Sequence, residues 1–157
     1  ATGETASLAA LYGTSAIYLN QVEAPAPMRV SYPVGTRVPL HCSAVGKVFL
    51  ADFQPALLED TLSYAGLKAF TPKTITKQKK LLSELKRVKQ QNYALEDEEY
   101  VPDARCIAVA LRGSSGTVVS TLSISGPTTR MRDDRLADLA KLMLETAHRF
   151  AEQMREP

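Results

Sequence analysis

The sequence predicts an α/β domain of the α+β kind: a central, mostly antiparallel sheet flanked by helices, closed by one long C-terminal helix. Three observations lead there. Strand-like runs come in consecutive pairs, 5–11 with 16–23 and 104–111 with 117–125, each joined by a short glycine-bearing turn; such neighbours pair antiparallel. Between and after the pairs, apolar residues return at helical spacing. And 157 residues suit one domain that buries about two thirds of its unfolded surface.

The elements follow in order. "TASLAAL" (5–11) and "AIYLNQVE" (16–23) form a hairpin with Gly13 at its turn. "APAP" (24–27) interrupts regular structure, and "MRVSY" (28–32) reads as a further short strand before Pro33 and Gly35. From His41 to Phe53, the residues Ala44, Val45, Val48, Phe49 and Ala51 fit a short helix entered after Pro39. Gln54 to Tyr64, with Leu57, Leu58 and Leu62, fits a second that ends before Gly66. Thr76 to Gln91 carries Leu81, Leu82, Leu85 and Val88 on one stripe and lysines elsewhere. After the acidic "EDEE" (96–99) come the strands "ARCIAVAL" and "TVVSTLSIS". Asp133 to Met154 is a long amphipathic helix with the stripe Leu136, Leu139, Ala140, Met143, Ala147, Phe150 and Met154; Asp133 and Asp134 sit at its dipole-positive end.

Composition narrows the chemistry. A net charge of +2 gives no global field toward nucleic acid or membrane. Two cysteines and two histidines at these spacings build neither a disulfide framework nor a four-ligand zinc site. No apolar run approaches the length of a membrane span and no signal peptide is evident, so a soluble, cytoplasmic protein is expected. The opening "ATGETASLAAL" is already strand-like and lacks a start Met, which suggests a piece of a longer protein.

The stretch "GTRVPLHCSAVGKVFLA" (35–51) sets His41, Cys42 and Ser43 ahead of Gly46-Lys47. A phosphate loop would need Gly five residues before Gly-Lys and a hydroxyl after Lys; His41 and Val48 stand there. A Cys/His nucleophile needs the base within hydrogen-bond reach, whereas neighbours on a helix start point about 100° apart. What remains is a helix N-terminus with small residues, whose free N–H groups and positive dipole suit a carboxylate or phosphate, or are simply capped or solvated.

Strand register adds a second clue. With Ser114-Ser115 at the turn tip, Ile107 faces Leu122 and Leu111 faces Val118, giving one greasy face. The other face then opposes Cys106 with Ser123, Ala104 with Ser125, Ala108 with Thr121 and Ala110 with Val119. Small residues there either leave room for a ligand, oriented by Cys106, Ser123 and Ser125, or accept a closely packed helix.

"VGTRVPLHCSAVGKVFLA", "YALEDEEYVPDARCIAVALR" and "STLSISGPTTRMRDDRL" resemble, in order and spacing, the effector-binding domain of IclR-type transcriptional regulators. The resemblance covers essentially the whole chain. It implies a GAF-like fold, no cofactor, no metal and no catalysis. It also implies self-association as dimers or dimers of dimers, and DNA contact only through an N-terminal winged helix-turn-helix domain that lies outside these residues. A small organic acid would bind at the helix start Ala44-Val45-Gly46, at Glu96 or its neighbour Asp97, and at Cys106, Ser123 and Ser125. Val30, Val38 and Ala104 would form the walls. These are smaller than the Met and Leu of pockets for short keto acids, so an aromatic acid is expected ahead of a keto acid. The rivals are a Cys-dependent hydrolase on Cys42 or Cys106 and a purely structural oligomerisation domain.

Three other features have plainer readings. Lys68 to Lys89 holds seven Lys and one Arg against Glu84 alone, as a solvated helix face does. "EDEE" suits strand-entry solubility or salt bridges to that basic stretch. Arg105, on the apolar side of its strand, should pair with a carboxylate, because an unpaired buried Arg is costly.

Overall fold

A computed structural model describes residues 2–155. Among them run β1 (Thr5–Tyr12), β2 (Ser15–Val22), β3 (Arg37–Pro39), α1 (Ala44–Asp52), α2 (Pro55–Ala65), α3 (Gln78–Gln91), β4 (Tyr93–Asp97), β5 (Ala104–Arg112), β6 (Val118–Pro127) and α4 (Asp133–Gln153). The six strands form one curled antiparallel sheet in the order β3-β2-β1-β6-β5-β4.

Two strand assignments need correction. Residues 28–32 form no strand; Pro27 and Pro33 bracket them, and each removes a backbone donor. The sheet edge is instead the short β3. Strand β4 escaped notice because its inward positions are Ala94 and Glu96, which give no hydrophobic alternation.

The register of β5 and β6 is also corrected, by two residues: Ile107 opposes Ile124, Cys106 opposes Ser125 and Ala108 opposes Ser123. The turn explains it. Gly116 donates to the Gly113 carbonyl at 2.9 Å, Gly113 donates to Thr117 at 3.0 Å, and Gly116 takes φ +83°, so the loop is a tight turn followed by a left-handed bulge residue. A further irregularity follows Leu111. Because side chains alternate with period two, a slip of two leaves every residue on its expected face. β1 lies on the far side of β6 and adds Ser7 opposite Ser123 and Thr5 opposite Ser125.

The sheet divides two cores. On one face Ile107, Val109 and Ile124 pack against Leu136, Leu139, Ala140 and Met143 of α4, each large apolar side chain contributing roughly 1.5–3 kcal/mol when fully buried. On the other face Ala9, Ala16, Tyr18, Val38, Ala94, Cys106 and Ala108 pack under α1 and α3. Small strand residues let α1 settle close to the sheet at this point. Gly46 does the same on the outer side of the helix start, where a Cβ would stand 2.3 Å from the Leu40 Cα.

Two ionic clusters fasten the layers. Lys47, 1% exposed, reaches from α1 to Glu99 Oε2 at 2.8 Å, the Leu95 carbonyl at 2.9 Å and Glu84 at 3.4 Å. Glu4, also buried, accepts from Arg130 at 2.8 and 2.9 Å and from Arg135 at 2.9 Å. Arg105 pairs as expected, with Asp97 at 2.7 Å and Asp133 at 2.8 Å. Three of the four acids of "EDEE" are likewise absorbed in ion pairs: Asp97 with Arg105, Glu98 with Lys73 and Glu99 with Lys47.

Candidate functional site

The site is built around the start of α1. Ser43 is the N-cap: its Oγ accepts from Gly46 N at 3.1 Å and donates to the Pro39 carbonyl at 2.5 Å, while Lys47 N–H closes the first helical bond to Ser43 O at 3.0 Å. The N–H of Gly46 is therefore used, and this residue's role is close packing. Ala44 and Val45 are fully buried, and their N–H groups have no acceptor among the described residues. Two orphan donors at the positive end of a helix thus stand inside the protein.

Opposite them the sheet presents Cys106 from β5 and Ser123 and Ser125 from β6, all buried. Ser125 Oγ donates to Cys106 Sγ at 3.2 Å, Ser123 Oγ donates to the Ser7 carbonyl at 3.4 Å, and the Cys106 thiol points to the Ile107 carbonyl at 3.8 Å. Glu96 enters from β4 directly opposite Cys106. It is 3% exposed, and its Oε1 accepts from Glu99 N at 2.6 Å and Tyr100 N at 3.1 Å. Its Oε2 has no partner among the described residues. Burial raises its pKa to about 7, against the pull of those two N–H donors.

The inward acid is Glu96 and not Asp97, which lies on the opposite face of β4 and belongs to Arg105. Of the expected walls, Val38 is buried in the α1-side cluster and Ala104 lies on the Cys106 side of β5. Val30 is half-buried in the irregular segment 24–36 and stands outside that cluster. The room foreseen above the small face is occupied in part by α1 itself and by aromatic rings that the sequence did not single out. Tyr18 of β2 stacks on Tyr32 with centroids 5.2 Å apart and planes 1° apart, Tyr32 meets Tyr100 at 6.3 Å, and Tyr100 meets Phe70 edge-on at 5.0 Å. Tyr18 was legible, since it alternates inward with Ala16; Tyr32 and Tyr100 lie in loops, where period carries no signal. Beside this row a depression of about 460 Å³ is lined by Val38, Leu40, His41, Phe70 and Tyr100 among others.

The two thiols have the wrong character for a nucleophile. Burial pushes both Cys42 and Cys106 up to about 12, so they are thiols near neutrality. His41 Nε2 donates to the Lys68 carbonyl at 2.9 Å. Among the described residues no cluster of His, Cys, Asp and Glu could hold a metal ion, and no helix is long and apolar enough to cross a membrane.

Comparison with known proteins meets this geometry. The family model for the bacterial transcriptional regulator IclR C-terminal region matches residues 1–152. The chain belongs to the IclR C-terminal family. Among IclR-family relatives, the HTH-type transcriptional regulator BhcR of Paracoccus denitrificans is 37% identical over 150 residues, covering 96% of this chain and 54% of that protein. The chain thus spans about half the length of the curated relatives it matches. The C-terminal domain of the E. coli transcriptional regulator KdgR superposes with a TM-score of 0.87 at 33% identity, covering 99% of this chain and 90% of that one. The inducer-binding domain of PobR from Acinetobacter, a double mutant in complex with 3-hydroxybenzoic acid, gives 0.86 at 26% identity, covering 99% and 89%. The IclR relatives are named as regulators and not as enzymes, in keeping with the un-ionised thiols.

Proposed function

We propose that this chain is the effector-binding domain of an IclR-type transcriptional regulator and that its effector is a small organic acid. The observation that carries the reading is the meeting of two unpaired N–H groups, on Ala44 and Val45, with the buried polar group Glu96, Cys106, Ser123 and Ser125. The N–H end suits a carboxylate; the hydroxyls, thiol and acid suit further oxygens of the same ligand. The row of rings from Tyr18 to Phe70 favours a planar, aromatic acid, and the 3-hydroxybenzoate complex of PobR supports the same ranking, with a short keto acid next.

In the whole protein, self-association as a dimer or dimer of dimers would couple this site to an N-terminal winged helix-turn-helix domain outside the chain, in the cytoplasm. The effector would act by binding one arrangement of the assembly better than another. No cofactor, metal or membrane enters the mechanism.

The test is a melting-temperature screen against benzoate, 3-hydroxybenzoate, glyoxylate and related acids. At a hundredfold excess over its dissociation constant a ligand adds about 2.7 kcal/mol, or roughly 5–10 °C for a chain this size. Ser123→Ala with Ser125→Ala should remove most of that shift and leave the unliganded melting point nearly unchanged. A double variant that responds like wild type places the pocket elsewhere.

A further inference from the structure

The buried site is short of positive charge. The cation that acts on Glu96 is Lys47, and Lys47 is already committed to Glu99 at 2.8 Å and Glu84 at 3.4 Å. Glu99 itself keeps one oxygen, Oε1, buried without a partner, so negative charge near α1 is not under-supplied. A bound carboxylate would bring one more anion beside Glu96, among side chains that are themselves buried. The N–H groups of Ala44 and Val45 can satisfy one anion; the pair available to Glu96, on Glu99 and Tyr100, serves only its Oε1.

We infer, on the reading above, that the effector enters as an anion together with one proton taken from solvent, and that this proton resides on Glu96 Oε2. Glu96 is then a neutral acid that donates a hydrogen bond within the site, where a carboxylate would repel the ligand. Its oxygen is placed for this: it ends a side chain only 3% exposed, makes no hydrogen bond among the described residues, and belongs to the residue opposite Cys106. Titratable and charged groups face it from several elements. From β2 and the 24–36 segment come Tyr18 and Tyr32, both raised by burial away from neutrality; from the loop before α1 and from β5 come Cys42 and Cys106, both thiols. Lys47 from α1 and Glu99 and Tyr100 from the 98–103 loop complete the surroundings. Burial raises the Glu96 carboxyl to about 7, inside the physiological range, whereas burial holds the two tyrosines and the two thiols well above it. Glu96 is thus a specificity-determining residue: it admits a single carboxylate and discriminates against dianions.

Calorimetry with benzoate and 3-hydroxybenzoate, fully ionised throughout, tests this at pH 6 and pH 9 and, at pH 8, in phosphate and Tris buffers. Affinity should fall by about a hundredfold from pH 6 to pH 9, tenfold per unit above the titration. The buffer dependence at pH 8 should report uptake of close to one proton per ligand. Glu96→Gln, the neutral isostere, should bind equally at both pH values and take up none. Binding by wild type that is equal at pH 6 and pH 9, with no proton uptake, overturns the inference and leaves the effector-site reading standing. A Gln variant that still takes up the proton also overturns it. No binding by any of the acids at pH 6 sinks the effector-site reading itself, and the inference with it.

Discussion

Replacing Lys47 by Met is the most informative single change in this domain. The substitution keeps most of the side-chain volume, so little cavity is created, and removes a cation that is 1% exposed. Glu84 would keep Arg87 at 2.9 Å as a partner at the surface. Glu99 would not be so served: its Oε2 would retain only the Asp97 N–H at 3.1 Å, and its Oε1 has no partner at the outset. The Leu95 carbonyl would lose its donor as well. Leaving one member of a buried pair uncompensated costs about 3–5 kcal/mol. For a domain of this length that lowers the melting temperature by roughly 6–20 °C. Urea unfolding followed by far-ultraviolet circular dichroism measures it directly, as a lower midpoint at unchanged slope. Adding Glu99→Gln to the Met variant should recover at least half of the loss. A single-variant loss below about 1 kcal/mol, the range of exposed pairs, would refute the reasoning, as would a double variant less stable than the single one.

Three further outcomes follow from the geometry. Gly46→Ala forces a Cβ against the Leu40 backbone at 2.3–2.7 Å and should cost at least ~1–3 kcal/mol in the same urea assay, although alanine ordinarily favours a helix. Glu96 carries a folded-state pKa raised from 4.5 to about 7, so its stabilising contribution is full below about pH 4.5 and lost as pH rises through 7. Glu96→Gln should therefore be more stable than wild type at pH 8, by up to ~3 kcal/mol, and the gap should close toward pH 5. Cys42 and Cys106, buried and un-ionised, should resist iodoacetamide at neutral pH in the folded state and react only on unfolding; rapid native labelling would revive a thiol nucleophile.

How much was legible in the sequence depended on what kind of signal each element carried. Helices α3 and α4 announced themselves through stripes of Leu and Met, and the β5–β6 hairpin through its β-branched runs. The cluster of Cys106, Ser123 and Ser125 survived a register wrong by two because face depends only on parity. A slip of one would have scattered it. β4 was missed because its inward side is Ala94 and Glu96, the one a small residue and the other a carboxylate. The choice between Glu96 and Asp97 could not be read locally either. It was decided by Arg105, whose guanidinium on the far face captures Asp97. Tyr32 and Tyr100 came to the site through loop geometry, for which a single sequence holds no periodic trace.

The position of β1 bears on how the chain comes to be folded. Its hairpin with β2 is local, but its other edge is completed by β6, with Thr5 against Ser125 and Ala9 against Thr121. During synthesis the β1–β2 hairpin therefore waits, with an open edge, until β6 has left the ribosome. Separations of this size carry a loop-closure penalty and slow the search. An unpaired edge in the interval is also where a second nascent chain can add a strand. The same central seam that brings Ser7, Ser123 and Ser125 together thus cannot close before β6 is made, and it is the step at which overexpression should divert the protein into aggregates.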